Sequence, residues 1–427
     1  MERDVTGMEE VKPEGSRWLQ LVLGVITMMA ISSPQYVWTL FTKPFQEITG
    51  AGLPALQITI SILIVLQTWS SPLQGALIER FGPRALVMTG CALSGLSWIL
   101  ASYATSVTML YLTYGLFGGI GTGIVYVGVI GHMVRWFPDR RGFAAGMAAA
   151  GYGFGAMLTT FPISDMLKEA GLQHTLLVFG AILGGVGVVA AAFLREPSSG
   201  YTVATIASDR VTATEFDSKS MLKTPVFWLL FLMMTMMSTG GLMVIVNFAT
   251  FSREFGITDK VVVLGFAALP FALTLDRVTN GLTRPFFGWL SDRIGRENTM
   301  AVAFAGEALA ILLMLNMRHD PLAYVLLSGV VFFGWGEIFS LFPSTLTDTF
   351  GTKHATTNYG FLYMAQGVGS VLGGPFAALI HDNSGSWIPV FGIIIAMDVL
   401  TALLALFVLK PWRRTWLANG RAALATA

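Results

Sequence analysis

The 427 residues predict an all-α integral membrane protein, with twelve transmembrane helices in two pseudo-symmetric six-helix bundles. Three observations predict it. Only 12% of the residues are charged, 54% are hydrophobic and the mean hydropathy is +0.66; soluble domains carry about 25% charged residues. Apolar runs of roughly 17–25 residues, long enough to cross a bilayer, recur along the whole chain. Landmarks of the first half also return in the second at a constant offset.

In order, the spans are expected at 18–45, 53–78, 84–104, 107–134, 141–165 and 172–194, then at 224–251, 259–290, 297–317, 321–347, 356–380 and 385–409. The longest polar stretch, "REPSSGYTVATIASDRVTATEFDSKSMLK" at 195–223, separates the two sets of six. The expected organisation is an N-terminal tail 1–17, a six-helix bundle 18–194, a central loop 195–223, a second bundle 224–410 and a C-terminal tail 411–427. Residues 1–17 hold Glu2, Arg3, Asp4, Glu9, Glu10 and Glu14, a poor match to the positive start of a cleavable signal.

Lysine and arginine set the orientation, because cytoplasmic loops are enriched in them. With both termini cytoplasmic, nineteen of the 26 fall inside. Five fall outside: Lys43, Lys168, Arg253, Lys260 and Arg318. The remaining two, Arg277 and Arg284, lie within a span. Short loops and tails suit a cell inner membrane.

Several function classes lose support. The net charge of +1 gives no reason to expect a nucleic acid partner. Cys91 is the only cysteine, and the five histidines lie at span ends or loops without forming a ligand cluster, so no metal or other cofactor is expected. H-E-x-x-H and G-x-S-x-G are absent, and the G-x-G-x-x-A string "GVGVVA" (185–190) sits inside an apolar span with no strand before it. An enzyme is therefore not expected. A monomer in the bilayer is.

The repeat is legible in two loops. "GALIERFGPR" (75–84) follows the second span and "GWLSDRIGRE" (288–297) the eighth. Gly75, Leu77, Glu79, Arg80 and Gly82 match Gly288, Leu290, Asp292, Arg293 and Gly295 at an offset of 213, and Phe137/Phe350 and Pro162/Pro375 keep it. Glu79, Arg80, Asp292 and Arg293 are the candidate cytoplasmic gate. An acid at a helix end pairs with bases and helix termini that part when that side opens. Duplicated halves of this kind suit a transporter that rocks one half against the other. The loop pattern resembles that of the major facilitator superfamily.

The eighth span carries the other unusual residues. Asp276, Asn280 and Arg284 are four apart and share one helix face. Asp276 and Arg284 are about 12 Å apart along the axis, with Asn280 between them. Ionisable residues at this depth are costly and mark function. The planar fork of Arg284 suits a carboxylate.

The segment "NGLTRPFFGWLSDRIGR" (280–296) resembles the eighth helix of the oxalate:formate antiporter family and, more loosely, of monocarboxylate transporters. "PQYVWTL" (34–40), "RWFPDRRGFAAGMAAAGYGFG" (135–155), "FFGWGEIFSLFPSTLTDTFGT" (332–352) and "NYGFLYMAQGVGS" (358–370) extend the likeness over both halves. The resemblance implies that Arg284 anchors a small carboxylate anion in a cavity lined by Gln35, Tyr36, Tyr126, Tyr152 and Trp335. The oxalate transporters place a lysine where this chain has Gln366, and a tyrosine where it has Phe339. One fixed positive charge, with neutral donors from Gln366 and Asn280, suits a monoanion such as formate, lactate, pyruvate or glycolate. Monocarboxylate transporters keep an acid four residues before the arginine. Here that position is Asn280, and Asp276 is one turn further back. Asp276 and Glu337 are the proton-coupling candidates; Glu307 has no assigned role. The expected function is proton symport of a monocarboxylate by alternating access. Anion exchange of the oxalate:formate type is the alternative, and a non-transporting membrane sensor the third reading.

Overall fold

The computed structural model describes residues 17–197, 212, 214–258 and 260–425. The first expected span is three helices: α1 (Arg17–Ala30), α2 (Ser33–Tyr36) and α3 (Trp38–Thr49). Pro34 cannot donate to the carbonyl of Ala30, so α1 stops there. The second is α4 (Leu53–Trp69) and α5 (Ser71–Phe81), which meet at a 51° bend. Next come α6 (Pro83–Ala101), α7 (Val107–Leu110), a π-helical stretch Tyr111–Phe117, and α8 (Gly118–Trp136). The 52 residues of α9 (Arg141–Ala192) hold two crossings, divided at Gly171, whose φ of 78° departs from the helix. Glycine occupies that region without steric cost.

The second half begins with α10 (Ser218–Met221) and α11 (Pro225–Glu254). A short hairpin, β1 (Val262–Val263) and β2 (Phe266–Ala267), turns through Leu264 and Gly265, both at positive φ. It delays the eighth span, expected from 259, to α12 (Ala268–Ile294). Then follow α13 (Arg296–Asn316), α14 (Pro321–Trp335), α15 (Ile338–Phe350), α16 (Ala355–Ser384), α17 (Ile388–Leu404), a π-helical stretch Ala405–Leu409, and α18 (Lys410–Ala425). The expected tail thus continues as a helix. It is fastened to the start of α13 by Arg413 on Glu297 and by Lys410 on Asn298 (2.7 Å).

Among the described residues nine helices are long and apolar enough to cross a membrane, and the α4–α5 pair makes a tenth. Separating the two arms of α9 and adding α12, whose charges exclude it from that set, brings the crossings to the expected twelve. The outer surface fits lipid: Phe161 is 75% exposed and Phe407 72%. Apolar contact with lipid gives helices no reason to associate, so small residues that allow close approach do more of the work. The two halves meet where α9 packs on α12 and where α16 packs on α4 and α5. Gly75 and Gly288, equivalent in the repeat, sit in these two contacts. A Cβ on Gly75 would lie 2.7 Å from the Cα of Thr357, and one on Gly288 would strike the backbone of Gly142.

Candidate anion site and gate

Arg284 lies on α12 between the halves, at 1% exposure. Its Nη1 donates to the carbonyl of Ala149 on α9, and its Nη2 to Asn280 Oδ1 at 3.3 Å. The guanidinium stands 4.7 Å from the ring centroid of Phe339 on α15. A cation on a desolvated aromatic face is attracted by about 2 kcal/mol. Phe339 thus presents its ring to the arginine. The Nε is buried without an acceptor. Among the described residues no Asp or Glu oxygen comes within 4.0 Å of the guanidinium. A buried arginine lacking a carboxylate retains capacity for an anion.

Aromatic rings from both halves surround it. Tyr126 of α8 stacks on Tyr363 of α16 (centroids 4.8 Å apart, planes at 10°) and meets Tyr152 edge-on at 5.4 Å and Phe339 at 6.2 Å. The Tyr152 hydroxyl donates to Gln35 Oε1 at 2.7 Å and accepts from Gln67 Nε2 at 3.4 Å; Gln67 also reaches the Tyr363 hydroxyl at 3.3 Å. Tyr36 is half exposed, with its ring 5.5 Å from Tyr152. Trp335 meets Phe339 edge-on at 5.8 Å, and its Nε1 donates to the Met237 carbonyl of α11. Apolar walls with a few convergent polar groups define a small-molecule site.

Arg284, Asn280, Tyr126, Tyr152, Gln35, Tyr36 and Trp335 are therefore brought together. Three candidates share no hydrogen bond with this group. Gln366 joins none of these hydrogen bonds, and its Oε1 is buried without a donor. Asp276 is 2% exposed and accepts from Ser328 of α14 at 3.0 Å, whereas Arg277 is exposed, so the two do not form a solvated pair. Glu337 is fully buried at the break between α14 and α15. Tyr363 and Gln67 were missed by the sequence reasoning. A glutamine within an apolar span was the available signal for Gln67.

The gate candidates divide by charge. Asp292 accepts from the backbone N–H groups of Gly142 (3.0 Å) and Phe143 (2.9 Å), the first turn of α9 in the other half. Glu79 accepts from the Thr357 N–H (2.9 Å) in the first turn of α16, again in the other half. Each acid satisfies helix donors that have no partner in their own helix, at the positive end of its dipole. The neighbouring arginines do otherwise: Arg80 lies over Phe81 and Arg293 over Trp289. Around Asp292 the bases are Arg296, at 2.6 Å and on Asp348 at 2.8 Å, and Arg141, on Asp348 at 2.7 Å; beside Glu79 they are His354 at 3.3 Å and Arg135 at 3.9 Å. Arg141 comes from the first half and Asp348 from the second. The sequence reading missed this trio because its members are far apart in the chain.

A profile of the Major Facilitator Superfamily matches residues 21–275 and 271–423. The chain belongs to this family of membrane transporters. Within it, the chain is 36% identical over 401 residues to the oxalate:formate antiporter of Oxalobacter formigenes, covering 94% of this chain and 93% of that protein. It is 27% identical over 371 residues to monocarboxylate transporter 13 of Bos taurus (86% and 81% covered). The crystal structure of the superfamily transporter FucP in its outward conformation superposes with a TM-score of 0.68 over 93% of this chain and 99% of that one, at 14% identity, a likeness of fold alone.

Proposed function

We propose that this transporter carries a small monocarboxylate, of the class of formate, lactate, pyruvate or glycolate, by alternating access with proton symport. The observation that carries the reading is Arg284: buried, aromatic-walled and, among the described residues, without a carboxylate within 4.0 Å. The anion would take its Nε and one Nη, with Asn280 and the tyrosine hydroxyls completing its hydrogen bonds. One fixed cation balances one negative charge; a dianion would retain an unpaired charge in a low-dielectric site. Glu79 and Asp292, with Arg141, Arg296 and Asp348, would hold the cytoplasmic end closed. Arg80 and Arg293 would lie beside this gate. Both termini would face the cytoplasm from a bacterial inner membrane, with one chain as the working unit.

A second reading, anion exchange, is favoured by the 36% identity to the oxalate:formate antiporter. Vesicles with an internal pH dye separate the two. Symport acidifies the lumen when formate or lactate is added outside, beyond the leak of empty vesicles. Exchange moves labelled anion only against a preloaded anion, with no proton signal.

Charge count at the site has its own test. Gln366→Lys is expected to raise competition by oxalate against labelled formate uptake. Unchanged competition by dicarboxylates would remove Gln366 from the site.

A further inference from the structure

Three buried acids stand behind the arginine: Glu307 on α13, Glu337 at the α14–α15 break and Asp398 on α17. Each is at most 1% exposed. Glu307 Oε2 and both oxygens of Glu337 and of Asp398 are buried without a hydrogen-bond donor. Among the described residues no Lys, Arg or His nitrogen lies within 4.0 Å of any of them. They are drawn toward one another because α13, which carries Glu307, packs on both α14 and α17.

The backbone brings them together. α14 ends at Trp335, and Gly336 then seats on α12, where a Cβ would lie 2.7 Å from the Asn280 carbonyl oxygen. Glu337 thus starts beside the turn of α12 that leads to Arg284. Three residues earlier, Gly334 admits Glu307: a Cβ there would lie 2.7 Å from the Glu307 Cβ. Asp398 faces α11 at Gly240, where a Cβ would lie 4.0 Å from its Oδ1.

An ionised carboxylate with no partner in a dry interior costs several kcal/mol. Three that repel one another cost more. A metal ion is not the cation to expect: among the described residues no three His, Cys, Asp or Glu side chains converge to hold one. Protons need no such shell.

We propose that Glu307, Glu337 and Asp398 form a proton-binding site coupled to the anion site through Glu337 and Arg284. The proposal rests on the reading of Arg284 as anion anchor. The positive field of a bare Arg284 opposes a proton on Glu337. A carboxylate bound to Arg284 cancels that field and favours the proton. Linkage is reciprocal, so a protonated Glu337 strengthens anion binding. Substrate and proton then load together. Other ionisable groups on the surrounding helices are engaged elsewhere: Asp292 and Asp348 bind Arg296, Arg277 is exposed, and His381 meets Glu254. Asp276 on α12 is held by Ser328, Tyr324 on α14 is bonded to Ser252, and Tyr359 and Tyr363 on α16 line the aromatic site. Arg253 and Glu254 of α11, and Arg296 and Glu297 of α13, lie at helix ends. α17 has Asp398 alone.

The test uses the full-length protein and the isosteric variants Glu307→Gln, Glu337→Gln and Asp398→Asn, with Asp276→Asn beside them. Infrared spectra near neutral pH read the carbonyl stretch of protonated carboxyls without requiring transport. The expected result is that each cluster variant loses part of this band and that formate enlarges it in the wild type. A band unchanged in all three variants overturns the proton site. In vesicles, the cluster variants are expected to exchange labelled formate but lose formate-driven proton uptake, which Asp276→Asn keeps. Proton uptake that is absent from the wild type, survives in all three cluster variants, or fails only in Asp276→Asn overturns the coupling. Arg284→Ala judges the anchor separately: normal exchange there refutes the anchor, while the infrared result still decides the proton site.

Discussion

Arg284→Ala abolishes saturable uptake of labelled formate and lactate: this is the largest effect expected. Truncating one partner of a buried charged contact costs about 2–5 kcal/mol, roughly 30- to 5,000-fold in affinity. Among the described residues no second cation lies within the aromatic walls to take over. The loss should be specific to the anion. Arg284 makes its protein contacts to a neutral carbonyl, an amide and an aromatic ring, at Ala149, Asn280 and Phe339, so removing it strands no carboxylate among the described residues within 4.0 Å. The variant should therefore insert and unfold on heating much as the wild type does, while formate no longer raises its unfolding temperature. Arg284→Lys keeps a charge but loses the fork and the flat face on Phe339, and should fall between the two. Saturable uptake retained in Arg284→Ala would remove the arginine from the anion site.

Asp348→Ala is the second. Asp348 is 4% exposed and is shared by Arg141 of the first half and Arg296 of the second. Its removal takes the carboxylate from Arg141 and leaves Arg296 with Asp292 alone; breaking such a buried pair costs about 3–5 kcal/mol. The cost falls on the closed state of this end, because opening draws Arg141 away in any case. The variant should populate the opposite state more. Thr356 reports on this: it is 1% exposed, and a Cβ on Gly131 of the other half would lie 2.8 Å from its Cβ. In a background lacking Cys91, a cysteine at 356 should react faster with an impermeant maleimide once Asp348 is replaced. Asp320→Ala is the control. It removes an exposed helix cap at the start of α14, worth about 1 kcal/mol, and should leave the labelling rate unchanged. Equal rates in Asp348→Ala and wild type would show that the trio does not hold this end shut.

Much of this molecule was legible along the chain. Hydropathy placed the spans to within a few residues, apart from the breaks at Ala30, Ser70 and Gly336 and the hairpin before α12. Proline announced the first break. The hairpin had a weak mark, a lone glycine at 265 within an apolar run. The repeat of 213 residues located Glu79 and Asp292, and the glycines of the same loops proved to be the points where the halves touch. The arginines beside those acids lie over Phe81 and Trp289, because adjacency in sequence puts Arg80 and Arg293 on a different face from the acid. Asp398 escaped notice altogether, although it is the one acid in its apolar span.

The sequence by itself determined the membrane class, the duplication and the presence of an arginine inside the eighth span, because each is written in local composition or in a fixed spacing. The tertiary structure alone decided what the helix faces meet. A period of 3.6 residues says that Asp276, Asn280 and Arg284 share a stripe. It does not say that Asp276 turns to Ser328 of α14 while Arg284 reaches Ala149 of α9 and Phe339 of α15. Those partners lie 52, 135 and 55 residues away, and only the packing of whole helices sets which of them arrive. The same packing buries Glu307, Glu337 and Asp398 on separate helices, and ties Asp348 of the second half to Arg141 of the first.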